Sequence, residues 1–176
     1  IYSPGPEWNK KWGVLDLKQA NELLDKVGLT KKDSEGYRLR TDGKGRLRLE
    51  MITVGGQFVP YTQVGEMIKQ QWKKIGVDLD VKELERNLAF TRDNGSENQM
   101  ITWANDGSEM LFLFPRHALP VDAAESHMGM AFARWYASRG ASGKKPDDPE
   151  MIRAFDLFRN AFGMKEEDRV KAAKEI

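Results

Sequence analysis

At 176 residues the chain is long enough to bury a real core and fits a single domain. Hydrophobic residues make up 40% and charged residues 31%, a globular balance, and 28 basic against 27 acidic residues leave a net charge of +1. With no long basic block, no cysteine and no run near the roughly 18 apolar residues of a membrane span, the composition argues against a nucleic-acid binder, a disulfide scaffold, a Cys–zinc site and a spanning helix.

Residues 1–15 carry Pro4, Gly5, Pro6 and Gly13 and read as an opening loop. A helix then begins with Asp16 as N-cap and Gln19 three residues on, the pattern of a capping box. Its apolar stripe is Leu17, Ala20, Leu23, Leu24 and Val27, and Gly28 stands where a left-handed cap is wanted. The polar stretch 30–45, with Gly36, Gly43 and Gly45, predicts a turn-rich hairpin or loop. In 46–54 the alternation of Leu47, Leu49 and Met51 predicts a strand, ended by Gly55-Gly56. Val64, Met67, Ile68, Trp72 and Ile75 predict an amphipathic helix over roughly 61–75, closed by Gly76, and Val77 to Val81 alternates again. This strand–helix–strand run is a βαβ unit, for which parallel pairing is expected. A shorter helix is predicted over 84–92, a turn at Asp93-Asn94-Gly95-Ser96, and a short buried inner strand at Met100 to Ala104.

Beyond the loop Asn105-Asp106-Gly107-Ser108, residues 109–125 carry no clear period. Helix returns around 127–139, where Phe132, Trp135 and Tyr136 form a buried stripe. Gly140 to Pro149 reads as an internal linker. Ile152, Phe155, Phe158 and Phe162 recur at helical spacing, and a last helix covers 165–176. The acidic runs at 147–150 and 166–168 lie at helix starts, where they complement the helix dipole. The chain starts at Ile1 without a Met and stops inside a helical pattern, so both ends read as cuts in a longer protein.

Catalytic signatures are sparse. The two histidines, His117 and His127, stand ten residues apart without a paired Glu, so they read as ordinary surface or core residues and not as metal ligands. Asp33 to Gly36 lacks the ordered carboxylates of a calcium loop and reads as an Asx turn. There is no G-x-S-x-G, and neither Gly43-Lys44-Gly45 nor Gly55-Gly56 has the glycine spacing of a phosphate loop. The most informative stretch is Trp103 to Asp106. Trp103 lies near the carboxyl end of a predicted strand, the place where open α/β sheets bind ligands, and Asp106 follows in the loop. An aromatic face with a carboxylate suits a cationic or hydroxyl-bearing ligand. By pattern alone, a core Trp and a turn Asp before Gly107 is the better account.

The order of motifs carries more than any one of them. Asp16 to Leu29 resembles the Lys-Ala-x-x-Leu-Leu-x-x-x-Gly helix of the family 5 extracellular solute-binding proteins. Lys32 to Arg38 is similar to their Asp/Gly-rich segment, and Glu66 to Val77 to their helix-to-strand junction. Trp103-Ala104-Asn105-Asp106 falls where that family has a Trp and, three residues later, an Asp. Ala133 to Ser138, Glu166 to Arg169 and Lys174-Glu175-Ile176 resemble its late Trp-Tyr-x-Ser-Gly-Gly and Glu-Glu-Arg…Glu-Ile stretches. The resemblance runs over about 14–176. It departs at Gly107-Ser108-Glu109-Met110, where relatives often have an Asp/Pro-rich run, and at Ser138-Arg139-Gly140, where they have Ser-Gly-Gly.

The resemblance implies a periplasmic-binding-protein-like type II lobe: α/β, a mixed sheet with flanking helices, and the second lobe only, so that 1–176 is one partial domain. It implies the substrate-binding component of an ABC importer. Such a protein captures a peptide or oligosaccharide in the periplasm or outside the cell, delivers it to permease subunits, touches the membrane only indirectly and works as a monomer without cofactor or catalysis. In peptide-binding relatives the Asp at the position of Asp106 holds the ligand's ammonium group and the Trp lines the pocket. Trp103, Asn105 and Asp106 are therefore the expected ligand-binding residues. A fragment of a glycan-active enzyme, or a lobe that binds a protein partner through the 150–162 helix, is the alternative.

Overall fold

The computed structural model describes Pro6, residues 13–104 and residues 110–176. Most of the opening loop, and both Asn105 and Asp106, lie outside the described residues. The backbone condenses as two compact units. One is a sheet unit, Lys10–Arg92 with Glu97–Trp103. The other is a helical unit, Ile1–Asn9, Asp93–Ser96 and Ala104–Ile176.

The sheet unit opens with α1 (Leu17–Lys26). The Asp16 carboxylate accepts from the Gln19 N–H at 2.8 Å, as the capping pattern predicts. At the other end Gly28 adopts φ +87°. The Leu29 N–H bonds back to the Leu24 carbonyl and the Gly28 N–H to that of Asp25, the two closing bonds of a Schellman motif. Two antiparallel bridges, Lys32 with Arg38 and Leu39 with Arg46, shape the hairpin that follows.

Strand β1 (Arg48–Val54), helix α2 (Tyr61–Lys73) and strand β2 (Asp78–Leu84) form the expected βαβ unit. The strands pair in parallel, from Arg48 opposite Asp78 to Val54 opposite Leu84. Strand β3 (Met100–Ile101) pairs in parallel with Met51 and Ile52 on the other side of β1, giving the order β2-β1-β3. All three described strands are parallel. One expectation changes. The strand at Met100, expected to be inner and buried, is two residues long, half-buried and at an edge of the described sheet. The inner strand is β1. Met51 to Val54 are all buried, because α2 covers one face and α3 (Arg86–Asn94) the other. Burial on both faces also explains why the apolar alternation of this segment stops halfway along it.

Helix α2 approaches the sheet closely at Gly65, where a Cβ would stand 2.9 Å from Val81 Cγ1 and 3.3 Å from Thr53 Cγ2. One side chain ties the loops of this unit together. Arg38 is 1% exposed. Its guanidinium donates to Asp25 at 2.5 Å, to Asn21 at 2.6 Å, to the Ile75 carbonyl at 2.8 Å and to the Leu29 carbonyl. It thereby satisfies carbonyls beyond the ends of both α1 and α2.

The helical unit holds α4 (Met130–Ala137), α5 (Pro149–Asn160) and α6 (Glu166–Glu175). Its core is Leu111, Leu119, Val121, Phe155 and Phe158, with Phe132, Trp135 and Tyr136 of α4 packed against it. Helix α5 starts on an Asp148 cap that accepts from the Glu150 N–H at 2.8 Å, with Pro149 in its first turn. The acidic run Glu166, Glu167 and Asp168 fills the first turn of α6. The 140–149 stretch bonds to α4. The Lys144 N–H donates to the Ala131 carbonyl at 2.9 Å. A Cβ at Gly143 would come within 2.3 Å of that same oxygen. Arg139 takes φ +54° in the turn after α4, at the place where the Ser-Gly-Gly pattern has glycine.

Candidate functional site

In a parallel sheet every strand sends its carboxyl end to the same edge, and the loops beyond that edge are where side chains converge on a ligand. In the sheet unit these loops follow Val54, Leu84 and Ile101. The first, running from Gly55 to Pro60 into α2, walls a cavity of about 370 Å³ together with Tyr61, Thr62, Gln63 and Glu83. A hydrogen-bonded chain fixes its floor. Buried Thr53 meets Thr62 hydroxyl to hydroxyl at 2.9 Å, and the Thr62 hydroxyl also donates to the Glu83 carboxylate. Glu83 reaches this position by passing Gly55, where a Cβ would lie 2.7 Å from its Oε1. A Cβ at Gly55 would thus displace the Glu83 carboxylate from this position.

Trp103 follows β3 at the same edge. It is half-buried and packs on the cluster of Ile52, Val54 and Ala89. The Phe90 ring meets it edge-on, with centroids 4.9 Å apart and planes at 74°. The Tyr61 ring lies 6.3 Å away at 33°. The Arg86 guanidinium carbon stands 5.2 Å from the Trp103 centroid and 5.4 Å from that of Phe90, within cation–π range of both. Tyr61 also lines the cavity, so the aromatic cluster and the cavity share a wall.

Of the three residues proposed from sequence, the structure therefore describes Trp103 alone. It gathers around it Tyr61, Glu83, Arg86 and Phe90, which sequence reasoning did not single out. Tyr61 sits at the first position of α2 and Arg86 at the first of α3, both at helix starts whose nearness to Trp103 depends on strand order. The histidines are also closer than their spacing suggests. In the helical unit the two rings stack at 6.1 Å, and His127 Nδ1 lies 2.8 Å from the carboxylate of buried Asp93. Among the described residues no group of three or more His, Asp or Glu side chains is placed to hold a metal ion, and no helix is long and apolar enough to cross a membrane.

Residues 1–120 match the sequence profile of the family described as bacterial extracellular solute-binding proteins, family 5 Middle. No curated protein matches the chain. Among solved structures, an oligopeptide-binding protein, OppA, superposes with a TM-score of 0.80 at 28% identity, over 98% of this chain and 30% of that one. The periplasmic binding protein MelB from Agrobacterium fabrum C58, in complex with stachyose, gives 0.74 at 18% identity over 92% of this chain and 24% of that one. A mannohexaose-bound periplasmic oligopeptide-binding protein from Thermotoga maritima gives 0.62 at 18% identity, over 99% and 30%. The chain thus spans less than a third of the length of each of these proteins. The two sugar-bound structures speak to the fold alone.

Proposed function

We propose, from the premise that this chain belongs to the family 5 bacterial extracellular solute-binding proteins, that it is part of the receptor of an ABC importer. In this reading it binds a peptide or an oligosaccharide outside the cytoplasm and passes it to membrane permease subunits. Its role in this reading is binding, as the name of the oligopeptide-binding relative says of that protein.

The observation that carries the reading is the aromatic cluster of Trp103, Tyr61 and Phe90 at the carboxyl edge of a parallel sheet, beside a cavity floored by a carboxylate. Trp103 is half-buried, and Asn105 and Asp106 follow it in sequence. A stacked ligand gains from the aromatic face, and a carboxylate at Asp106 accepts hydrogen bonds from an ammonium or from hydroxyls. In a two-lobed receptor, contacts made by both lobes shift the population from open to closed.

The test is calorimetry on the full-length receptor with a panel of peptides and oligosaccharides. Replacing Trp103 with Ala is expected to weaken the best ligand about 10-fold or more, the range of a buried aromatic contact. Asp106→Ala is expected to weaken it as well. Unchanged affinity in both variants overturns the site.

A further inference from the structure

Arg86 is a feature of this edge that neither the sequence motifs nor the family resemblance accounts for. It is exposed, and it opens α3 immediately after β2. A cation in the first turn of a helix opposes the helix dipole, so its placement gains nothing from α3 itself. Among the described residues no carboxylate lies within ion-pair distance of it. The two acidic neighbours in sequence are engaged elsewhere: Glu83 takes the Thr62 hydroxyl, and Glu85 accepts the Asn87 and Leu88 N–H groups of α3. The guanidinium instead rests against the Trp103 and Phe90 rings, 5.2 Å and 5.4 Å from their centroids.

We propose that Arg86 is a specificity-determining residue of this solute site, selecting uncharged hydroxyl-bearing solutes, of the oligosaccharide class, against solutes that bring a free ammonium to Trp103. The inference rests on the receptor reading given above. Trp103 attracts cations through its ring face, and Arg86 already uses that attraction. A second cation brought onto the same ring comes well inside the Debye length of about 8 Å from the guanidinium and meets like-charge repulsion. An uncharged sugar ring stacked at Trp103 meets no such penalty. It also finds the N–H donors of the guanidinium beside it, to which its hydroxyl oxygens can bond as acceptors. Tyr61 and Glu83 supply a hydroxyl and a carboxylate on the neighbouring cavity wall, both able to bond to sugar hydroxyls.

The experiment is isothermal calorimetry on the full-length receptor with three probes: a neutral tetrasaccharide, a tetrapeptide with a free amino terminus, and the same peptide N-acetylated. Wild type, Arg86→Gln and Arg86→Glu are compared, with thermal melts to show that each variant is folded. Wild type is expected to favour the saccharide and the acetylated peptide over the free-amino peptide. Arg86→Glu is expected to move the ratio of free-amino peptide to saccharide affinity at least about 10-fold toward the peptide, with Arg86→Gln in between. A ratio in Arg86→Glu within two-fold of wild type overturns the proposal and leaves the receptor reading standing. Wild type that prefers the free-amino peptide also overturns it. A wild-type receptor that binds none of the probes removes both readings together.

Discussion

The sheet unit and the helical unit each enclose a small core, but with different materials. In the sheet unit the large, fully buried apolar side chains are aliphatic, Ile52, Val54 and Leu79, and the loops around them converge on the single guanidinium of Arg38. In the helical unit aromatic rings join Leu111, Leu119 and Val121 in the core. Phe155 and Phe158 are buried, Phe112 stacks on Phe158 at 5.4 Å, and Tyr136 meets Phe155 at 5.0 Å. A parallel ladder supplies its own backbone hydrogen bonds, so its side chains need only fill space between layers. What such a fold must still satisfy is the set of carbonyls beyond its helix ends, and a buried arginine does that. Short helices joined by irregular segments share no common ladder, and large rings cover more area per residue. The contrast bears on function too. The unit with backbone-defined geometry is the one that holds Trp103, Arg86 and the cavity at fixed positions.

The contrast breaks most visibly at Phe155. Phe155→Ala removes a ring that is 1% exposed and touches Trp135 and Tyr136, and is expected to cost about 3–5 kcal/mol. Denaturant titration with hydrogen exchange should show protection falling first in α4 and α5. A loss below about 1 kcal/mol would mean that the aromatic cluster is not what holds this unit. Next comes Arg38→Ala, expected to cost about 2–3 kcal/mol because it leaves the Leu29 and Ile75 carbonyls without their donor. Its exchange signature should appear at the ends of α1 and α2. If Arg38→Met, which restores volume without donors, were as stable as the parent, packing and not hydrogen bonding would be the role of this residue.

The smallest effect sharpens the same region. Partial desolvation pushes the Asp33 carboxyl up, but the Tyr37 N–H, the Arg46 guanidinium and the Glu35 N–H outweigh it and hold the group below the usual carboxylate range. A carboxyl with a depressed folded pKa stabilises the fold above its unfolded value of about 3.9, and that contribution is lost as pH falls through the folded value. Amide resonances of Glu35 and Tyr37 should therefore titrate below about pH 3.9, and Asp33→Asn should abolish the step. A midpoint at or above the ordinary value would show that these hydrogen bonds do not favour the ionised form.

Much of this was written in local sequence. The Asp16 cap, the Gly28 closure, the βαβ period and the Asp148 start of α5 are short-range features, set by a side chain and a backbone group three or four residues apart or by a period of 2 or 3.6. The family followed from the order of such features along the chain. Tertiary structure decided the remainder. It made β1 the central strand and placed the segment ending at Ile101 at an edge, since pairing depends on which strands meet and not on their composition. It bonded the glycine-rich 140–149 stretch to α4 through the Ala131 carbonyl, a contact that composition alone does not reveal. It brought Asp93 to His127 and set Tyr61 of α2 and Arg86 and Phe90 of α3 around Trp103. Side chains far apart in sequence meet only once strand order is fixed, so the residues that flank Trp103 could not be read until the sheet had been assembled.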